Sequence, residues 1–155
     1  MRENRIRTIW AEGGNVLSGW VGLPTSLGAE IIANQDFDAV TVDTQHGMIG
    51  FQVAAEMLQA ISTTSAIPLA RAPWNDPSSI MKLLDAGAYG IICPMVNNRA
   101  QCEAFVGACR YAPQGYRSFG PARGVLYGGE DYLEHANDTL LTLAMIETSE
   151  AVEKL

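Results

Sequence analysis

The sequence is short of positive charge and has no long apolar run, and each shortage excludes a class of protein. Its 155 residues carry 10 Lys and Arg against 17 Asp and Glu, a net charge of −7, whereas binding to nucleic acid needs clustered basic residues. The one basic cluster, Arg2, Arg5 and Arg7, is small and is predicted to lie on a terminal arm. No apolar run approaches the roughly 20 residues of a membrane helix, and the first residues lack the apolar core of a secretory signal. We therefore expect neither a nucleic-acid nor a membrane partner.

Cysteine is also scarce. Cys93, Cys102 and Cys109 are the three present, and no two of them form a CxxC motif. An odd number without a pairing framework is typical of a reducing compartment. We expect a cytoplasmic protein in which all three side chains fill small apolar positions.

The chain alternates between apolar, β-rich runs and helical patterns, which predicts an α/β fold with a parallel sheet covered by helices. An open doubly wound sheet and a closed (β/α) barrel both fit this alternation. No GxGxxG motif follows the first run, so a dinucleotide-binding sheet loses its main support. The predicted strands are residues 15–23, 38–43, 67–72, 90–96 and 140–146.

Helix signals separate these strands. Residues 51–61 carry apolar side chains at i, i+3, i+4 and i+7 spacing, which predicts an amphipathic helix. Asp76, with a proline after it, is typical of a helix start, and Gly87 is typical of the end of that helix. Asn98 with Gln101 three residues later predicts the next helix start.

The length of the chain fits part of a barrel. Predicted strands in its first half begin about 25 to 30 residues apart, near the roughly 30 per unit of a (β/α)8 barrel of about 250 residues. We therefore expect residues 1–155 to form one domain of about five β/α units, as a fragment or truncated chain. Residues 150–155 are predicted to open a further helix, and the glycine-rich residues 111–130 are predicted to form a long loop.

Polar side chains recur where the predicted strands end. Asp43, Gln45 and His46 follow the second strand, Arg71 ends the third, and Glu147 follows the fifth. Active sites of parallel α/β folds lie at this edge. Histidine can move a proton near neutral pH, arginine offers a planar fork to a carboxylate or enolate, and a glutamate oxygen suits Mg²⁺ or Mn²⁺. In this hypothesis Asp43 holds one nitrogen of the His46 imidazole.

Each of these residues also has a purely structural interpretation. His46 could cap the following helix, and Asp43 could form a turn through its own side chain. Arg71 could belong to a structural ion pair, and Glu147 could favour the start of a helix. Trp20 could be a core residue or a pocket wall. The recurrence of polar residues at strand ends is the argument for a site.

Four segments resemble a known family. VDTQHG (42–47), PLARAPW (68–74), the run from GAYGIICPMVN to SFGPARG (87–124) and AMIETSEAVEKL (144–155) are similar to the HpcH/HpaI aldolases, the metal-dependent class II 2-oxo-acid aldolases. The resemblance implies a (β/α)8 TIM barrel of the phosphoenolpyruvate/pyruvate-domain type, usually a hexamer built as a trimer of dimers. It also implies reversible cleavage of a 4-hydroxy-2-oxo acid to pyruvate and an aldehyde, with Mg²⁺, Mn²⁺ or Co²⁺ as cofactor.

The resemblance also implies roles for single residues. His46 matches the catalytic histidine, Asp43 its dyad partner, and Arg71 the arginine that binds pyruvate and stabilises the enolate. Gln45 stands where the family often has Glu. The substrate-binding residues are then Arg71, Gln45 and Trp20.

Glu147 matches the first metal-ligating carboxylate of the family. The second, an Asp after the sixth strand, lies in a segment that this chain does not contain, so we expect little aldolase activity from the chain alone. Two alternatives stay open: a citrate-lyase-type enzyme acting on an acyl-CoA, and a catalytically incomplete portion of an aldolase. A CoA enzyme should show basic residues at the mouth of the barrel, and the VDTQHG and MIET motifs fit small-acid aldolases better.

Overall fold

The computed structural model describes residues 1–154, so Leu155, the last residue of the helix predicted for 150–155, lies outside the described residues. This part of the chain contains five strands and eight helices, and at least one helix separates each pair of consecutive strands. The strands are β1 (Ser18–Val21), β2 (Ala39–Asp43), β3 (Ile67–Arg71), β4 (Gly90–Cys93) and β5 (Leu141–Ala144). The helices are α1 (Arg5–Ala11), α2 (Ser26–Ala33), α3 (Phe51–Ile61), α4 (Pro77–Asp85), α5 (Arg99–Cys109), α6 (Ala122–Gly128), α7 (Tyr132–Thr139) and α8 (Ser149–Glu153).

The five strands form one parallel sheet in the order β1-β2-β3-β4-β5. Strand order that follows the chain, without reversal, has no switch point and so excludes the doubly wound alternative. It is the winding of consecutive units of a (β/α) barrel. The architecture predicted from the sequence, five units of a TIM barrel, is thus confirmed.

Burial explains why the strands read as continuous apolar runs. Every residue of β2 is buried, and so are the first four residues of β3, because helices cover one face and the curved interior covers the other. β4 ends at Cys93, earlier than the predicted residue 96, since Pro94 has no N–H for the ladder.

The predicted helix starts and stops are confirmed. The Asp76 carboxylate accepts from the Ser79 N–H at 2.9 Å, and the Asn98 side chain accepts from the Gln101 N–H at 3.0 Å. Gly87, with φ +99°, follows the end of α4 in the left-handed conformation that glycine tolerates. Helix α3 spans the predicted residues 51–61.

The first residues do not form the predicted arm. They form α1, whose Ile6 is 1% exposed. The buried Asn4 side chain donates to the carbonyls of Tyr89 at 3.1 Å and Thr139 at 3.0 Å, just before β4 and β5. Helix α1 therefore covers the amino-terminal end of the sheet. The prediction was wrong because it rested on the charge of the three arginines. A long arginine side chain can lie across the carbonyl groups at the end of a helix, so this charge does not prevent packing.

The glycine-rich segment 111–130 is also more ordered than predicted, because α6 lies within it. The fully buried Arg117 guanidinium anchors this segment: it donates to Asp85 at 2.7 Å and to the Tyr132 hydroxyl at 3.1 Å. It also stacks 4.5 Å from the centre of the Tyr111 ring. A single buried arginine such as Arg117 produces no periodic pattern in the sequence, so its role could not be predicted.

The cysteines behave as small apolar residues. Cys93 and Cys109 are buried and Cys102 is half-buried. Burial raises the pKa of both the Cys93 and the Cys109 thiol to about 12, which keeps them protonated and unreactive. None of the described helices is long and apolar enough to cross a membrane.

Candidate active site at the carboxyl end of the sheet

Asp43 and Arg71 end neighbouring strands and face each other in the register of β2 and β3. Arg71 Nε donates to Asp43 Oδ1 at 2.8 Å, and Nη2 donates to Oδ2 at 2.5 Å. The side chains are only 12% and 11% exposed. This is a two-pronged, largely buried ion pair, which fixes the plane of the guanidinium.

The turn after β2 wraps round the same carboxylate. Asp43 Oδ1 also accepts from the backbone N–H groups of Gln45 at 3.0 Å and His46 at 3.2 Å. Burial raises the pKa of Asp43, but the hydrogen bonds from Arg71 and from these two N–H groups outweigh burial and hold it below its usual value. Asp43 therefore stays ionised and organises both the arginine and the turn.

We expect the Asp43–Arg71 pair to make stability depend on pH in acid. The pKa of folded Asp43 is depressed, so its contribution is complete above the unfolded value of about 4 and is lost as pH falls below it. Asp43→Asn should cost about 3 kcal/mol of unfolding free energy at pH 7. Urea unfolding should show this difference shrinking at pH 3, whereas the exposed Asp36→Asn should change little at either pH. An equal Asp43→Asn effect at both pH values would contradict this account.

His46 does not make the predicted hydrogen bond to Asp43. Among the bonds of the described chain, the His46 imidazole has none to that carboxylate, and the side chain is exposed. The physical reason is the conformation of the turn, in which the backbone N–H of His46, and not its imidazole ring, donates to Asp43 Oδ1. The structure thus places His46 beside the pair with its imidazole free, and the dyad through Asp43 is replaced by the Asp43–Arg71 pair.

Trp20, on β1, packs against the other side of the pair. The Arg71 guanidinium lies 4.8 Å from the centre of the Trp20 ring, a cation–π contact that further restricts the arginine. Trp20 also borders a cavity of about 200 Å³ on the inner face of the sheet. Arginine has five N–H donors, so this packing and the two bonds to Asp43 leave Nη1 able to bind a ligand.

Gln45 is half-buried within the turn. Its Oε1 atom is buried and has no hydrogen-bond partner in the described chain. Contact between Gln45 and a substrate stays a prediction.

Glu147 follows β5 at the same edge of the sheet. Its Oε1 accepts from the backbone N–H of Met95 at 2.7 Å. The Asp43 hydrogen bond raises the pKa of Arg71, and the charge of Glu147 raises it further. Glu147 and Arg71 therefore interact across the carboxyl ends of β3, β4 and β5.

Sequence reasoning missed the residues that hold Glu147. Met95 has φ +56°, the one positive value at a non-glycine residue within 1–154, and a left-handed methionine has no sequence signal. The Thr148 hydroxyl donates to Asn97 Oδ1 at 2.5 Å and joins the same two loops. Asn97 follows the fourth predicted strand, a position that in the sequence could equally indicate helix capping.

Glu147 suits a divalent cation as one hard oxygen ligand, since its Oε2 makes no hydrogen bond in the described chain. Residues 1–154 contain no group of three or more His, Cys, Asp or Glu that could hold a metal ion. The Asp43 carboxylate is already paired with the Arg71 guanidinium. The described residues therefore fit a metal through Glu147 alone, with other ligands coming from outside this set.

Comparison with known proteins identifies the family. The model of the HpcH/HpaI aldolase/citrate lyase family matches residues 18–155. The chain is 52% identical over 152 residues to a hydroxypyruvate/pyruvate aldolase of Rhizorhabdus wittichii, covering 98% of this chain and 61% of that protein. It is 36% identical over 156 residues to a 4-hydroxy-2-oxo-heptane-1,7-dioate aldolase of Escherichia coli, covering 99% of this chain and 60% of that protein.

A solved structure agrees. A family protein from Burkholderia cenocepacia J2315 superposes with a TM-score of 0.89 at 25% identity, over 97% of this chain and 62% of that one. The chain thus spans about three fifths of the length of these relatives. On the family match and the shared barrel winding, the chain belongs to the HpcH/HpaI aldolase/citrate lyase family.

Proposed function

We propose that this chain supplies the enolate-stabilising part of a class II aldolase that cleaves a 4-hydroxy-2-oxo acid to pyruvate, or a close analogue, and an aldehyde. The observation that carries the proposal is the Arg71 guanidinium, fixed by Asp43 and Trp20 with Nη1 free. A fixed cationic fork beside a carboxylate that suits a metal is the arrangement that stabilises an enolate oxygen. The names of the two relatives, both aldolases, support the same chemistry.

The reaction needs a base and a place for negative charge. In the proposed cleavage, the free His46 imidazole takes the proton from the 4-hydroxyl of the substrate, directly or through a water. The C3–C4 bond then breaks, the aldehyde leaves, and the electron pair moves onto the oxygen at C2. Arg71 Nη1 donates to that oxygen and stabilises the enolate, which takes up a proton at C3 to give pyruvate.

Glu147 would hold the divalent cation, Mg²⁺, Mn²⁺ or Co²⁺, which when bound polarises the 2-oxo group of the substrate. Asp43 acts in this scheme through Arg71, because its two hydrogen bonds fix the orientation of the guanidinium. We further propose a cytoplasmic homo-oligomer, a trimer of dimers, as the working form. The acyl-CoA alternative is less supported, because both relatives are named as aldolases.

The test joins this chain to the part of the Rhizorhabdus wittichii relative that it does not match; we call the product the joined protein. We expect the joined protein to release pyruvate from a 4-hydroxy-2-oxo acid when Mn²⁺ is present. This release should stop when EDTA is added. His46→Ala should lower the rate by about 10²–10⁴-fold. His135→Ala is the matched control, because His135 is the other histidine and is exposed on α7.

The chain alone should show little release in the same assay. Metal-independent release, or an equal effect of His46→Ala and His135→Ala, would contradict the proposed mechanism.

A further inference from the structure

The chain after β4 takes an unusual backbone conformation beside Glu147. Met95 lies in the left-handed region at φ +56°, where a residue with a Cβ is strained and where such strain is maintained only by surrounding contacts. No glycine or asparagine stands there to relieve it. We therefore expect contacts around Met95 that form only in this conformation.

Two contacts depend on it. The ladder between β4 and β5 ends where the Met145 N–H donates to the Cys93 carbonyl at 2.9 Å. Pro94 has no N–H, so the next donor along the chain is the Met95 N–H, and it goes to Glu147 Oε1 at 2.7 Å instead of to a backbone carbonyl. A carboxylate side chain thus replaces the backbone carbonyl that would accept the next hydrogen bond between the two strands.

The second contact lies two residues further on. The left-handed turn leads into Val96, which is 3% exposed, and into Asn97, whose Oδ1 accepts from the Thr148 hydroxyl at 2.5 Å. Glu147 and Thr148 are consecutive, so the loop after β4 holds the loop after β5 at two successive residues. An extended or right-handed Met95 would send Val96 and Asn97 elsewhere and release this attachment.

We propose that Met95 is a positioning residue that acts through its left-handed backbone: it fixes Glu147 Oε1 and leaves Oε2 available to a divalent cation. The inference rests on the proposed role of Glu147 as a metal ligand. The Met95 side chain has no part in it. Substitutions should therefore rank by how well they tolerate the left-handed conformation, and not by how closely they resemble methionine.

The experiment titrates Mn²⁺ alone into the joined protein, because residues 1–154 contain no complete set of metal ligands, and it follows free Mn²⁺ by electron paramagnetic resonance. The unmodified joined protein should bind Mn²⁺ saturably, and its Glu147→Gln variant should not. Met95→Gly keeps the N–H and permits positive φ, so it should bind at least as tightly as wild type. Met95→Val, β-branched and unfavourable at positive φ, should bind about tenfold more weakly, the usual effect of losing a group that orients a ligand.

A second measurement tests the inference even if the Met95→Val variant does not fold. Hydrogen exchange of the residue 95 amide, in metal-free protein, should be slow in the wild type and in Met95→Gly. It should be fast in Glu147→Ala, which removes the acceptor of this hydrogen bond, whereas glutamine would keep an oxygen able to accept it.

The outcomes separate the two proposals. Weaker Mn²⁺ binding by Met95→Gly, unchanged binding by a folded Met95→Val, or a residue 95 amide that exchanges equally fast with and without Glu147, would overturn the inference about Met95 alone. Absence of Glu147-dependent Mn²⁺ binding in the joined protein would overturn Glu147 as a metal ligand, and the role of Met95 would fall with it.

Discussion

Replacing Arg71 by lysine should lower pyruvate release by the joined protein about 10²–10³-fold, the usual cost of removing one donor from a site that stabilises an oxyanion. Lysine keeps the charge but has no planar fork. It therefore cannot hold both oxygens of Asp43, as Nε and Nη2 do at 2.8 and 2.5 Å, and also present a third donor. Steady-state kinetics with Mn²⁺ should place the loss mainly in kcat, because the enolate forms only during cleavage.

Folding and catalysis can be separated at this position. Arg71→Ala should cost about 3 kcal/mol of unfolding free energy, since it leaves a largely buried carboxylate unpaired. Arg71→Lys should cost much less. The control is Arg99→Lys, because the Arg99–Glu103 pair is 91% and 63% exposed and should change neither stability nor rate measurably. An active Arg71→Lys enzyme would exclude the guanidinium from enolate stabilisation.

Gly47→Ala should destabilise the chain by about 3 kcal/mol, near the upper end for a small-to-large change. A Cβ at Gly47 would lie 2.2 Å from the carbonyl oxygen of Asp43 and 3.1 Å from the Cα and carbonyl oxygen of Gly22. All three are backbone atoms, so no side chain can move aside. The turn itself must shift, and it carries His46 and the N–H groups that bind Asp43.

The neighbouring Gly50 offers a matched comparison. A Cβ there meets nothing within 4 Å, so Gly50→Ala should cost less than about 1 kcal/mol, the difference between glycine and alanine before the first helical residue. Urea unfolding of both variants, with Mn²⁺-dependent activity of the joined proteins, tests this. Similar unfolding midpoints for the two variants would show that the turn accommodates a methyl group at Gly47.

The sequence predicted the elements whose signals are local. Asp76 and Asn98 begin their helices through their own side chains, and continuous apolar runs marked the buried strands. It also placed Asp43, Arg71 and Glu147 at one edge, because the carboxyl ends of parallel strands meet there. Resemblance to a family added the expected roles, which the strand pattern could not supply.

What the sequence did not predict depends on contacts between distant segments. The partner of Asp43 was expected to be His46, three residues away, yet the register of β2 and β3 places Arg71, 28 residues away, against it. The N–H of the left-handed Met95 donates to Glu147, 52 residues further on. Helix α6 lies in a segment that Arg117 fastens to Asp85 and Tyr132. Periodicity within a window of residues contains no information on such pairs.

The helix that covers the amino-terminal end of the sheet has a consequence for synthesis on the ribosome. Asn4 donates to the carbonyl of Thr139, 135 residues later, so α1 cannot complete its contacts with the sheet until residue 139 has left the ribosome. At about 5–20 residues per second, that interval is on the order of ten seconds. Throughout that interval Ile6, which is 1% exposed once folded, lacks this cover, and the nascent chain offers a chaperone the apolar side of α1.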